Sequence, residues 1–383
     1  MGENNLEIVG GRIEFNCVDN YRTLSIVNET PAAGSVSGAG VYYPGTSVTV
    51  TATPSGSDEF QGWYDTLGTL KSMDNPYTFT MPGEDYTLST FFGPAKGSLK
   101  QMGMYPQTKV TDTTIISALN GKGGLLPTAG NPQTWTDYGY YIEGVVTSYM
   151  WYKDVVHNSV TYRGVYYTEY RYTYTDSTAG CFNQQDHGYT KRIVYWFKYE
   201  PITWKVLDID AGKAFLLAQT VLDAQDYFYA KTRRNIDGET VYANNYEHSH
   251  IRSWLNSSFL NAAFTTTEQN KIAVTTVDNS KATTINNTHN FDCPNTLDKV
   301  FLLSYLDLNG HYGFVDDASR VRYPSDYALS QTVSKDYDKA YWWTRSPYSS
   351  ETSASRVNYN GALAAINVTD AAMGILPAIW INA

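Results

Sequence analysis

The run Val48-Thr49-Val50-Thr51-Ala52 alternates apolar and polar side chains, and it lies between Pro44-Gly45 and the pair Pro54 and Gly56. Alternation at period two sends successive side chains to opposite faces of an extended chain, so this pattern specifies a half-buried strand that Gly and Pro terminate. The same grammar runs through residues 21 to 92, where Leu24-Ser25-Ile26-Val27 is followed by Pro31 and Gly34. Composition extends the argument to the whole chain: 33 Tyr, 15% aromatic and only 17% charged residues favour strands, turns and display surfaces over amphipathic helices. An α+β, β-rich fold is expected. With 383 residues the chain exceeds one ordinary core, so two or three domains are expected as well.

A formal net charge of −10, a pI near 5.1 and the lack of any Lys/Arg cluster argue against a surface that tracks a phosphate backbone; nucleic acid is not an expected partner. Cys17, Cys181 and Cys293 lie far apart, with no C-x-x-C pair to suggest zinc or thiol redox chemistry. Any two of them can pair in an exported chain, and spacing does not decide which. No basic stretch leads into an apolar run at the start, and no window of about 18 apolar residues occurs, so neither a signal peptide nor a membrane span is expected. Met1-Gly2 followed by polar residues fits either a chain whose signal has been removed or the true start of a virion protein.

Further along, Gly93-Pro94-Ala95-Lys96-Gly97-Ser98 reads as a linker, because Gly and Pro sustain neither regular element. From Tyr162 to Tyr174 the alternation of Tyr166, Thr168, Tyr170, Tyr172 and Tyr174 predicts a β-ribbon with one aromatic face, used for packing rather than for a ligand. The strands Trp204 to Leu207 and Lys213 to Ala218 are joined by the hairpin loop Asp208-Ile209-Asp210-Ala211-Gly212. Ile251, Trp254, Leu255, Phe259 and Leu260 recur at the spacing of a helical stripe. Thr265 with Glu268 is a capping box for a second short helix ending near Ala273. Lys299 to Ser304 reads as a buried strand, and Tyr341 to Ile379 as several short ones.

Two ordered sets of motifs resemble known families. Gly34-Ser35-Val36, Tyr43-Pro44-Gly45-Thr46, Phe60-Gln61-Gly62-Trp63 and Tyr77-Thr78-Phe79-Thr80-Met81-Pro82 resemble the InlB B-repeat, or Listeria-Bacteroides repeat, a small β-fold spacer of bacterial surface proteins. A generic small β-domain has the same shape. Tyr105-Pro106-Gln107, Trp204-Lys205-Val206-Leu207-Asp208, Ile251-Arg252-Ser253-Trp254-Leu255-Asn256, Asp298 to Ser304, Tyr341-Trp342-Trp343-Thr344-Arg345-Ser346-Pro347 and Pro377-Ala378-Ile379-Trp380 resemble, in this order, the family DUF6273. Thr344 and Leu376 depart from that family's usual Leu and Arg. The resemblance implies a C-type-lectin-like fold, shared with formylglycine-generating enzymes and with variable proteins of diversity-generating retroelements. It divides the chain into an N-terminal segment 1–20, a repeat-like domain 21–92, a linker 93–99 and a lectin-like domain 100–383 with a variable region 348–373.

In retroelement variable proteins, template adenines are randomised, which restricts the residues a varied codon can encode. Randomised AAC or AAT codons never give Trp, Gln, Lys, Glu or Met. Across Tyr348 to Met373 only Glu351 and Met373 fall outside the permitted alphabet. The resemblance thus implies a ligand-binding surface made by Tyr348, Ser349, Ser350, Thr352, Ser353, Ser355, Asn358, Tyr359, Asn360, Ala362, Ala364, Ala365, Asn367, Thr369 and Asp370. Such Tyr, Ser and Asn density suits adaptable contact surfaces, in which Tyr supplies area and small polar residues supply fit. Trp342, Trp343, Ile379 and Trp380 are expected to hold the frame. A plain polar β-meander has the same composition.

Other chemistry finds little purchase. An oxidase of the formylglycine-generating type needs a reactive cysteine pair, whereas Cys293 stands alone in the C-terminal region. His248 and His250 would share one side of a strand, yet no third metal ligand follows at a recognisable spacing. Calcium-bridged sugar binding requires a Trp-Asn-Asp that is lacking, and Asp316-Asp317 reads as a solvated loop. No Gly-rich phosphate loop, G-x-S-x-G or His-Glu-x-x-His occurs. The expectation is a non-catalytic, cofactor-free, extracellular display protein of a bacterial cell surface or phage virion, whose partner is a protein or glycan on a cell; an enzyme relic or a purely structural surface protein is the alternative.

Overall fold

The computed structural model describes residues 4–9, 12–17, 20–56, 58–142, 145–146, 149–171, 183–210, 212–285 and 291–382. Residues 1–98, with 208–214 and 382–383, form one compact unit, and residues 99–207 with 215–381 form a second. The chain is β-rich with short helices.

In the first unit the alternating run forms the strand Ser47–Pro54, and its inward side chains Val48, Val50 and Ala52 are buried while Thr49 faces out. That strand pairs antiparallel with Gly34–Ser37 and Tyr77–Thr80. A second sheet carries Gly40–Tyr42, Arg22–Asn28, Tyr86–Pro94, Asp58–Tyr64 and Leu70–Ser72 in that order. Between them Leu24, Trp63, Met81, Leu88 and Phe92 join the three inward residues in one core. The N-terminal segment contributes an antiparallel hairpin, Asn4–Val9 with Arg12–Cys17, that composition had not suggested. Gly93 and Pro94, expected in a linker, instead lie in register against Glu59 and Asp58 at the end of Tyr86–Pro94. Only a tight turn remains between the strands, closed by Ser98 N–H on the Ala95 carbonyl at 3.0 Å.

The second unit is built on an eight-stranded sheet. Its path runs Thr136–Asp137, Met150–His157, Val160–Tyr167, Tyr195–Asp210, Lys213–Ala218, Ala378–Asn382 and Val300–Phe301, and Leu99–Lys109 adds to Tyr195–Asp210. The tyrosine ribbon is corrected here. Its strand is Val160–Tyr167, and both faces are covered, since Tyr162, Val165, Tyr166 and Tyr167 are all buried. Thr168 and Tyr170 follow the strand, and Tyr172 and Tyr174 lie outside the described residues. Ala211, in the predicted hairpin loop, also lies outside them.

Of the predicted stripe, Ile251, Leu255, Phe259 and Leu260 are buried and Trp254 is half-buried, on a continuous helical segment made of His250–Trp254, a π-turn Leu255–Phe259 and Leu260–Ala263. Thr265 and Glu268 close the capping box of the helix Thr266–Lys271. Of Lys299 to Ser304, only Val300–Phe301 pairs as a strand, although Leu302 and Leu303 are equally buried.

Polar side chains stitch the two halves of this unit together. Tyr105 donates to Asp223 Oδ2 at 2.5 Å. Arg171 Nη1 donates to the carbonyls of Ala224 at 2.7 Å and Gln331 at 3.2 Å. Within one hairpin, Arg163 forks onto its cross-strand partner Asp154 at 2.8 and 2.7 Å. Buried polar groups are tolerated when they are paired in this way.

Candidate display surface

A smaller five-stranded sheet in the second unit runs Asp223–Ala224, Gly374–Ile375, Trp342–Pro347, Ser353–Val357 and Leu363–Asn367. Every residue of Trp342–Pro347 is buried, so its polar members need internal partners. They have them. Arg345 Nη1 donates to the Leu302 carbonyl at 2.8 Å and to Asp307 at 2.7 Å, and its other nitrogens reach the Asp278 carbonyl. Ser346 donates to the Thr283 carbonyl at 2.9 Å, and Trp343 Nε1 to the Gln225 carbonyl at 2.8 Å. Ile379 is buried like the paired tryptophans, whereas Trp380 is only half-buried, stacked on Phe215 with ring centroids 4.8 Å apart.

The predicted surface residues fall on the outer hairpin and the turns at its ends. Ser349, Ser350 and Asn360 are exposed. Tyr348, Thr352, Ser353, Asn358, Tyr359, Ala362, Ala364, Ala365, Asn367 and Thr369 are half-buried. Two assignments are corrected: Ser355 and Asp370 are 0% exposed and offer nothing to a partner. Ser355 lies in an interior strand of the sheet, covered on both faces, while Leu363–Asn367 is the edge. Asp370 turns inward to accept from Ala372 N–H at 2.9 Å, and burial pushes its carboxyl up to about 6.

The frame grips this hairpin by its main chain. Asn244 Nδ2 donates to the carbonyls of Ser350 at 2.9 Å and Ser353 at 3.1 Å. Thr344 donates to the Ser355 carbonyl at 3.0 Å, so the hydroxyl that replaces the usual Leu is satisfied. Phe228 N–H donates to the Val368 carbonyl at 2.9 Å. At the far turn Arg320 Nε donates to the Gly361 carbonyl at 2.8 Å. Glu351 is held both ways, its carbonyl accepting from Asn244 N–H at 3.2 Å and its side chain pairing with Arg233 at 2.7 Å, and Met373 is buried with its sulfur 3.7 Å from Arg356 Nη1.

Sequence reasoning missed the aromatic row beside the far turn. Tyr337, Tyr359 and Tyr341 are linked ring to ring at 6.0 and 5.6 Å, and the Arg356 guanidinium sits 4.9 Å over Tyr341. Tyr337 lies outside residues 348–373, the segment whose restricted alphabet drew attention to the hairpin, and the only local signal is the polar Asp336-Tyr337-Asp338 between lysines.

The other candidate groups have the following surroundings among the described residues, with the Cys293 thiol beside the backbone of Tyr246 and Glu247. The Cys293 thiol is free and half-buried, and burial pushes it up to about 11, away from the thiolate form that nucleophilic chemistry needs. Cys181 lies outside the described residues. The histidine pair does not share a strand: His248 sits in a turn, while His250 begins a helix with Nδ1 3.2 Å from Asp226. His187 contacts the Val333 carbonyl at 2.8 Å. Asp316 caps the helix Asp317–Arg320, and Asp317 pairs with Arg320. Among the described residues no group of three or more His, Cys, Asp or Glu is placed to hold a metal ion, and no helix is long and apolar enough to cross a membrane.

No curated protein and no solved structure matches the chain. Two family models do, and the narrower reach of one is informative: the DUF6273 match begins at residue 211, although Leu99–Lys109 and residues 195–207 of the strand Tyr195–Asp210 belong to the same compact unit as most of that match. Residues 24–96 therefore carry a Divergent InlB B-repeat domain, and residues 211–383 carry a Domain of unknown function, DUF6273.

Proposed function

We propose that this chain is a non-catalytic ligand-binding protein displayed outside the cell, on a bacterial surface or a virion, with the hairpin Ser353–Val357 and Leu363–Asn367 and its turns as the recognition face. In this reading the second unit is a C-type-lectin-like scaffold of the kind that retroelement variable proteins use, and the InlB B-repeat domain is its spacer. That repeat supports an extracellular or surface location.

The observation that carries the proposal is the way the hairpin is held. Its supports from Asn244, Thr344, Phe228 and Arg320 all end on backbone carbonyls. A backbone carbonyl persists whatever side chain its residue bears, so the frame tolerates change at the half-exposed positions without losing these bonds. Glu351 and Met373, which adenine randomisation cannot produce, are two that the fold engages through their side chains.

Sequencing the gene from related isolates tests the proposal. Variation concentrated at Ser349, Asn358, Tyr359 and Asn367, with Gly361, Glu351 and Met373 constant, is the expected result. Uniform codons at those four positions would sink diversification, and a quadruple alanine variant that adheres to target cells as well as the parent would sink the recognition face itself.

A further inference from the structure

We propose that the display hairpin recognises its target by strand addition, the edge strand Leu363–Asn367 taking an extended, uncharged segment of a partner protein as a further strand of the five-stranded sheet. This rests on the display reading above and deepens it. Leu363–Asn367 pairs antiparallel with Ser353–Val357 in unbroken register. Val368 N–H donates to the Thr352 carbonyl and Asn358 N–H to the Ala362 carbonyl, both at 2.9 Å, so the even-numbered residues of the edge strand bond inward. Bonding alternates along an antiparallel pair, and the odd-numbered residues therefore aim their main-chain groups away from the sheet. The Asn367 carbonyl accepts from Asp370 N–H at 3.0 Å. That leaves the N–H and C=O of Leu363 and of Ala365 and the N–H of Asn367, five groups in one row, none with a partner among the described residues.

Such a row is what natural sheets avoid. They blunt an edge with charge, proline, a bulge or brevity, because unpaired main-chain groups template another strand. The opposite edge of this sheet, Asp223–Ala224, is two residues long and buried. Thr136–Asp137 and Val300–Phe301, at the ends of the path through the larger sheet, are two residues each. Leu363-Ala364-Ala365-Ile366-Asn367 has five residues in regular pairing and carries no charge, proline or bulge. An edge left open on the face read as the recognition surface fits a binding edge.

The ligand class follows from complementarity. The outward groups recur every second residue, about 7 Å apart along one line, and another extended polypeptide repeats donors and acceptors at that interval. Residues 361 to 369 bear no charge, and Arg356, one strand further in, is engaged by the Tyr341 ring at 4.9 Å, so a charged incoming segment would be desolvated without a counter-ion. A second copy of this chain is the poorer occupant. Two-fold pairing about Ala365 sets Leu363 N–H against the Asn367 carbonyl that Asp370 already uses, and it brings together two chains of formal charge −10. Strand addition also suits a changeable surface, because main-chain bonds supply affinity whatever the side chains are, and the alternating side chains supply selectivity.

Selection of a random linear dodecapeptide library on the immobilised full chain, followed by calorimetry of an enriched peptide, tests the inference. An uncharged binder is expected. Ala365→Pro removes an N–H that the fold does not use, on an edge where proline is tolerated, and should weaken binding about tenfold or more with little change in thermal midpoint. Methylating the peptide's backbone nitrogens one at a time should abolish binding at alternate positions only, a readout that holds even where the proline variant folds poorly. Enrichment of no peptide overturns strand addition, as does binding indifferent to Ala365→Pro or sensitivity to methylation without alternation. Sedimentation showing a dimer of the parent that Ala365→Pro dissolves makes the occupant a second copy and overturns the assignment to a foreign strand. Adhesion to target cells separates the two readings: if the quadruple alanine variant abolishes it and Ala365→Pro does not, the display reading stands and strand addition falls, whereas adhesion indifferent to both variants overturns the display reading as well.

Discussion

Gly361→Ala probes the anchor of the display turn. Gly361 adopts φ +88°, and a Cβ built on it would overlap the Asp317 carbonyl. Two costs add. Alanine in a left-handed conformation loses about 1 kcal/mol relative to glycine. Forcing a methyl group into packed backbone adds about 1–3 kcal/mol. The neighbour cannot retreat easily, because Asp317 opens a capped helix whose Arg320 is bonded to both Gly361 and Leu308 carbonyls. The sum is about 2–4 kcal/mol. Gly310 supplies the control: its φ is +89°, yet nothing lies within 4 Å of its Cβ, so Gly310→Ala carries the backbone part alone. Urea unfolding followed by tryptophan fluorescence reads the second unit, since Trp63 is the sole tryptophan of the first. Gly361→Ala is expected to lower the midpoint well beyond Gly310→Ala and to impair adhesion. Equal losses in the two variants would refute the claim that contact with Asp317 fixes the turn.

Three further outcomes are expected. Arg345→Met should cost about 3 kcal/mol in the same assay, because it leaves the half-buried Asp307 carboxylate without its charged partner and two carbonyls without their donor. Asp370→Asn should show a growing stability advantage over the parent as pH rises from 4 to 6: burial holds the folded carboxyl near 6 against 3.8, so the parent loses stability across that window and no further above it. A thermal midpoint difference that stays flat with pH would exclude that account. In a Cys17→Ser, Cys181→Ser background, Cys293 should resist thiol reagents at pH 8 and gain reactivity toward pH 10, consistent with a thiol raised to about 11; rapid labelling at pH 7 would contradict it.

Elements with strong period were legible in the sequence. Val48, Val50 and Ala52 point inward as their alternation requires, and Ile251, Leu255 and Phe259 are buried on one helical segment. Thr265 and Glu268 make the expected box because capping is a local bond between named groups. Tertiary context decided the rest. The tyrosine alternation after Tyr162 spoke for one aromatic face, but a strand inside an eight-stranded sheet has both faces covered. The π-turn at Leu255–Phe259 leaves the stripe almost unchanged, and so gave no signal. Ser355 and Asp370 were grouped with the surface because small polar composition carries no register; a shift of one residue exchanges inside for outside. The turn at Tyr337 contains neither Gly nor Asn, the residues by which such turns are read.

The burial of Ser355 sharpens the division of labour in the hairpin. Its strand is interior, paired on one side with Trp342–Pro347 and on the other with Leu363–Asn367, so alternate side chains must fit a fixed space. Ala354, Ser355 and Val357 are buried there, and a larger residue at any of them would meet the frame. The edge strand has no such neighbour on its outer side among the described residues, and Leu363 through Asn367 are all half-exposed. Freedom to vary should therefore follow strand position more closely than codon type: high at Ala364, Ala365 and Asn367 and in both turns, low at Ser355, whatever its codon permits. The same partition explains why the frame's own polar groups bond to carbonyls. A support directed at side chains would fail with the first substitution, whereas one directed at the main chain survives all of them, so under the proposed display function adaptability of this surface and rigidity beneath it would have a common cause.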